Sequence, residues 1–188
     1  MLPHQVSSRT TSTLTFLEIA MPTQFRSSRR SFVASAALMA LASLTLPDLA
    51  HAYDEQSTSA LNVDANGIAL KGFDPVSYFS PSGPVPGKAE LFAKYEGATY
   101  QFASSQNRDT FSANPAKYTP AYGGFCAMGV ALEQKLDVDP QLWRVVDGKL
   151  YLNVHKGAQT RWLEDVKGNL AKAEKNWPRL KDKAPKTL

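Results

Sequence analysis

Cys126 is the only cysteine among 188 residues, and it stands in the stretch AYGGFCAMGVA, Ala121 to Ala131. Two positions on, Met128 supplies a thioether, and His155 is the only histidine beyond residue 52. Thiolate, thioether and imidazole select soft ions, so these three suit Cu(I) or a mononuclear copper centre of the His and Cys type. If the segment is a strand, Cys126 and Met128 point to one face and can reach the same ion. Three such donors leave no spare ligand for a closed tetrahedral zinc site.

The same residues support other chemistry. A free thiol with a pKa of about 8.5 is only slightly ionised at neutral pH unless its surroundings are electropositive. The turn Tyr122-Gly123-Gly124 lets backbone approach closely and offers N–H groups to a thiolate, with Arg108, Arg144 or Lys149 as basic helpers. With no second cysteine, a redox role for Cys126 needs a resolving thiol from a partner or a small molecule. A third reading is plain packing, because free cysteine behaves as a small hydrophobe, with His155 then a surface or helix-capping residue. Cys126 and His155 are also the residue types of a nucleophilic pair, but no oxyanion motif or orienting carboxylate accompanies them. No catalytic residue is therefore nominated. Asp137-Val138-Asp139 lacks the glycine and terminal glutamate of a calcium loop and reads as a solvated turn before Pro140.

The N-terminal segment bears on where this chemistry would operate. Arg26, Arg29 and Arg30 precede the uncharged run SFVASAALMALASLTLP, and Ala50-His51-Ala52 is a small-residue exit. Residues 1–52 thus read as a signal peptide of the twin-arginine type, cleaved before Tyr53, with 1–20 an over-extended start upstream of Met21. The run is short and ends at Pro47, which argues against a stable membrane anchor after cleavage. The expected location is periplasmic or otherwise exported. From Tyr53 onward 17 basic residues face 15 acidic ones, a balance that excludes nucleic acid as a partner.

Several elements must position the thiol. Residues 53–71 form an N-terminal lead whose alternation turns at Asn66-Gly67 and breaks at Asp74-Pro75. ELFAKYEGATYQFAS predicts a hairpin about Glu96-Gly97, with Leu91, Ala93 and Tyr95 on one face, and LWRVVDGKLYLNV a second about Asp147-Gly148. In the second, Leu150, Leu152 and Val154 share a face. Ser104 or Ser105 caps a short helix that stops at Asn114-Pro115. Trp162, Val166, Leu170, Ala173 and Trp177 draw an apolar stripe on a C-terminal helix that Gly168 divides. The aromatic residues from Phe73 to Tyr122 are needed for the core of so small a domain, and residues 179–188 read as a flexible basic tail. The fold class is α+β: one domain of small antiparallel hairpins, a short central helix and a C-terminal amphipathic helix.

GFDPVSYF, then YEGATYQFASSQNRDTFSANPAKYTPAYGGFCA, then VVDGKLYLN resemble the YHS domain family, in its branch of small exported YHS domain-containing proteins. The resemblance spans residues 72–178, including a C-terminal extension. Related metal-handling domains carry cysteines at the DPV start and after the aromatic hairpin. Here those places hold Ser77, and Ser104, Ser105 and Asn107, so the resemblance implies no cysteine-cluster metal site. The expected function is an exported domain that binds a metal ion, copper above all, or a small molecule through YGGFCAMG. The alternatives are a single-thiol redox protein and a non-catalytic structural or interaction module.

Overall fold

The structure, a computed structural model, describes residues 53–188; the expected export signal lies outside the described residues. The α+β class holds. Two antiparallel hairpins form separate two-stranded sheets, β1 (Lys88–Tyr95) with β2 (Ala98–Phe102) and β3 (Asp139–Val146) with β4 (Lys149–Asn153). Five helices accompany them among the described residues: α1 (Ser105–Ala113), α2 (Pro115–Tyr118), α3 (Ala127–Ala131), α4 (Lys156–Glu164) and α5 (Val166–Leu180).

Both hairpins close through the turn dipeptides read from the sequence. Glu96 and Gly97, like Asp147 and Gly148, take positive φ at both positions, the twist that matches flanking strands. Tyr95 pairs with Ala98, and Val146 with Lys149. In β2 the alternation is regular, with Ala98, Tyr100 and Phe102 buried. In β4 it fails: Leu150 and Leu152 are buried as expected, but so are Tyr151 and Asn153. The Tyr151 ring packs against Tyr122 and Trp162 and Asn153 meets Cys126 Sγ, so the second face of β4 is covered too, while the segment from Pro120 to Cys126 lies along its edge, bridging in parallel from Pro120 to Leu150 and from Cys126 to Leu152.

Ser104 caps α1, its Oγ accepting the Asn107 N–H at 3.1 Å. α2 then starts on Pro115, whose missing N–H costs nothing at a first helical position. The aromatic core expectation holds, with Tyr100 and Phe102 packing on Phe111 at 4.9 and 5.2 Å between ring centroids. At the other end the stripe of the C-terminal helix is divided at Asp165, three residues before Gly168. Asp165 leaves helical geometry and its Oδ1 accepts the Gly168 N–H at 2.8 Å, capping α5. Gly168 has a different part than expected: a Cβ there would meet the capping carboxylate at 2.1 Å.

Helix α5 organises its neighbours through two buried amides. Asn169 Nδ2 donates to the carbonyls of Arg161 and Trp162 at the end of α4, and Asn176 Nδ2 to those of Val130 and Ala131 at the end of α3. Each pair would otherwise be orphan C-terminal carbonyls. The relative placement of α3 and α4 is thereby set.

The lead and the tail are tied down where loose ends were expected. Lys135, 1% exposed, donates from Nζ to Ser59 O at 2.7 Å, Lys181 O at 3.0 Å and Lys183 O at 2.8 Å, and lies 4.7 Å from the centre of the Phe125 ring. Tyr53 packs edge-on against Phe125 and donates its hydroxyl proton to Lys135 O. Lys186 N–H reaches Glu55 O at 3.0 Å, joining tail to lead directly. The Asp137 to Asp139 segment is likewise more than a solvated turn, since Asp137 pairs with Lys71 at 2.7 Å and Val138 is buried.

Burial raises the pKa values of the Tyr53, Tyr78, Tyr100, Tyr122 and Tyr151 hydroxyls and of the Cys126 thiol. Above about pH 8.5 for cysteine and 10 for tyrosine the unfolded chain releases protons that the folded chain keeps, so stability falls as pH rises. Lys135 is shifted down by burial and has the opposite sign, one group against six. Urea midpoints should therefore be lower at about pH 10.5 than at about pH 8. A midpoint that rises over that interval would contradict this burial pattern.

Candidate functional site

Cys126 sits where three segments meet. Its N–H donates to Leu136 O at 3.0 Å, its backbone bridges to Leu152 in β4, and it is the N-cap of α3. The expectation that Cys126 and Met128 extend along a strand is corrected: Cys126 is the last extended residue and Met128 lies in the first turn of a helix. The small residues of AMGVA allow that helix to be buried throughout against α5. A Cβ at Gly129 would be tight there, 3.3 Å from the Leu136 side chain and Gln134 O.

The sulfur is enclosed but not idle. With the residue 0% exposed, Sγ accepts the N–H of Gly129 at 3.3 Å and of Val154 at 3.4 Å. Its own proton goes toward Asn153 Oδ1 at 3.7 Å. Burial pushes the thiol's pKa up, and the N–H groups of Gly129, Val154 and Met128 pull it partly back. Asn153 is itself 0% exposed, and its Nδ2 has no hydrogen-bond partner. These donors are not the expected ones. Gly123 and Gly124 face away from the sulfur, against the lead: Asn62 N–H donates to Gly123 O at 2.9 Å, and a Cβ on Gly123 would stand 1.8 Å from Ala60 O. Tyr122, also at positive φ, donates to Glu174 at 3.2 Å beside Trp177. The Tyr122-Gly123-Gly124 turn thus supports the fold behind the cysteine rather than its chemistry.

Cys126, Met128 and His155 are three of the residues that line one cleft of about 260 Å³ between α3, the loop through Leu136 and the start of α4. His155 is exposed and caps α4, its Nδ1 accepting the Ala158 N–H at 3.1 Å, which leaves Nε2 as the nitrogen available to a ligand. Its capping role agrees with one of the sequence readings. Among the described residues no group of three or more His, Cys, Asp or Glu could hold a metal ion, so any metal here would depend on the methionine sulfur.

The expected basic helpers lie elsewhere. Arg108 pairs with Asp109 at 2.9 Å, Arg144 reaches Trp143 O at 3.2 Å, and Lys149 borders a separate cleft with Tyr122 and Trp177. The basic side chain that lines the cysteine cleft is Arg161, which sequence reasoning missed. Gly157 and Arg161 are four apart and share a helical face, but which face of α4 lines the cleft depends on where the helix docks.

Ser77 and Asn107 are both engaged in hydrogen bonds of the fold. Ser77 Oγ donates to Asp74 O at 2.6 Å and accepts the Val85 N–H at 3.0 Å. Asp74, 0% exposed, gathers the N–H of Val76 and Ala103 and the Nδ2 of Asn107 on its carboxylate. A hydrogen-bonded knot stands there. Among the described residues no helix is long and apolar enough to cross a membrane. Comparison of the chain with known protein families, with curated proteins and with solved structures finds no match.

Proposed function

We propose that this chain is an exported YHS-like domain that binds a soft monovalent metal ion, Cu(I), in the cleft over Cys126. The observation that supports the reading is that Cys126, Met128 and His155, from segments 27 residues apart in sequence, line the same cleft. Cys126 Sγ, Met128 Sδ and His155 Nε2 would hold the ion. Charge balance favours a monovalent guest: exchanging the thiol proton for a single positive charge leaves the net charge at the buried sulfur unchanged, whereas a divalent ion would add one. Asn153 supports the exchange. With the thiol protonated its Oδ1 accepts, and once the sulfur is only an acceptor, a half-turn of the amide presents the unpartnered Nδ2 to it.

Binding releases the thiol proton, so affinity should rise about tenfold per pH unit below the thiol's pKa. Burial raises that pKa, so the rise should continue past the pH at which an unburied thiol would level off. Titration of the folded protein with Cu(I) against a competing chelator reads both effects. Cys126→Ser should abolish binding and His155→Ala should weaken it about tenfold or more. Equal affinity in the Cys126→Ser variant would sink the reading.

The enclosure of the sulfur and its raised pKa disfavour the single-thiol redox alternative, which requires rapid alkylation near pH 7. Slow labelling in the native state, with fast labelling after denaturation, is the expected result.

A further inference from the structure

The cleft over Cys126 has more room than an ion needs. Its 260 Å³ compares with about 30 Å³ for one water and about 150 Å³ for an apolar cavity that admits benzene. Leu132, Leu136, Val154 and Ala158 provide hydrocarbon walls, and Leu132, at 45% exposed, is among the described residues one of three large apolar side chains that stand most open to solvent. No carboxylate lines the space.

Arg161 is its one permanently charged residue, and among the described residues no salt bridge includes it. Among the described residues no acid, Glu164 and Asp165 on the following turn included, lies within salt-bridge distance of it. Glu133, between the lining residues Leu132 and Gln134, is held by Arg179, and Asp165 caps α5. An apolar cleft with an uncompensated guanidinium at its rim complements a molecule with hydrocarbon at one end and a planar anion at the other.

We infer that the cleft binds a small monocarboxylate with an apolar body, the body against Leu132, Leu136 and Val154 and the carboxylate on Arg161. This goes beyond copper binding and does not rest on it, because the carboxylate is assigned to Arg161 and no sulfur takes part.

The test is an amide NMR titration of the copper-free protein, with a Cu(I) chelator present, using octanoate, octan-1-ol and octylammonium as probes. Octanoate should shift the amides of Gly129, Val154, Gly157 and Ala158, and octylammonium should bind about fivefold or more weakly than octanoate. Arg161→Gln, an exposed substitution whose remaining spectrum reports an intact fold, should weaken octanoate about fivefold or more and leave octanol unchanged. Four results would overturn the inference: no binding up to about 10 mM, equal binding of octylammonium, full octanoate affinity in Arg161→Gln, or shifts centred on Tyr122 and Trp177 instead. Copper titration is read separately, so loss of one binding activity with the other intact identifies which reading has failed.

Discussion

Replacing Asp74 with alanine is expected to destabilise the protein by about 2–4 kcal/mol, because it strips three half-buried donors of their one buried acceptor at once. Asp74 Oδ1 accepts the Val76 N–H at 2.9 Å, and Oδ2 accepts the Ala103 N–H at 2.9 Å and Asn107 Nδ2 at 2.7 Å. One carboxylate thereby joins the loop before the first hairpin, the end of β2 and the first turn of α1. With the residue fully enclosed, water cannot replace the lost acceptor without the knot opening. Asp74→Asn keeps the volume and one good acceptor, so about half the loss is expected. Urea unfolding of the two variants gives the ordering; an alanine variant within about 1 kcal/mol of the parent would show that the three donors find other partners.

The second large effect is expected at Lys135. Methionine there preserves hydrocarbon volume but leaves the carbonyls of Ser59, Lys181 and Lys183 without their shared donor and removes the cation from the Phe125 ring. Hydrogen bonds to a charged group contribute about 1.5–3 kcal/mol each, though the three here belong to segments near the ends of the domain and can partly regain water by local opening. A net loss of about 2–4 kcal/mol follows. Its signature is regional: amide exchange should accelerate in residues 57–62 and 181–188 well before the hairpins lose protection. Uniform acceleration across the chain would contradict the picture of one ammonium holding both ends.

These two residues show what was and was not legible in the sequence. Local signals were: Glu96-Gly97 and Asp147-Gly148 fix their hairpins through backbone conformations that few other dipeptides adopt, and Ser104 announces its helix through a cap three residues long. Asp74 could be read as a break in regular structure, but the three donors that meet it come from up to 33 residues away. Lys135 gave no sign of burial, because a lone lysine among polar neighbours is ordinarily solvated and its three acceptors are backbone atoms, which carry no residue signature. The helix division illustrates the same limit, since Gly168 was the more conspicuous breaker and Asp165 ended α4 by offering a better cap.

The candidate site divides along the same line. Cys126, Met128 and His155 were nominated by chemistry alone, and the fold places all three on one cleft. The local geometry went differently, because Cys126 bridges to β4 while its neighbours coil into α3, a change of conformation that periodicity cannot reveal over five residues. Arg161 required knowing where α4 docks, and that is decided by two asparagines of α5.

The backbone bond from Lys186 to Glu55 places the two extremities of the described region side by side. A few glycines could bridge them, and the chain could then be reopened at Asp147-Gly148, a solvent-facing bend with nothing within 4 Å of a Cβ built on Gly148. Such a permuted protein would keep every contact around the sulfur while moving its new ends to the far tip of the second hairpin, a ready place to attach a reporter without touching the cleft.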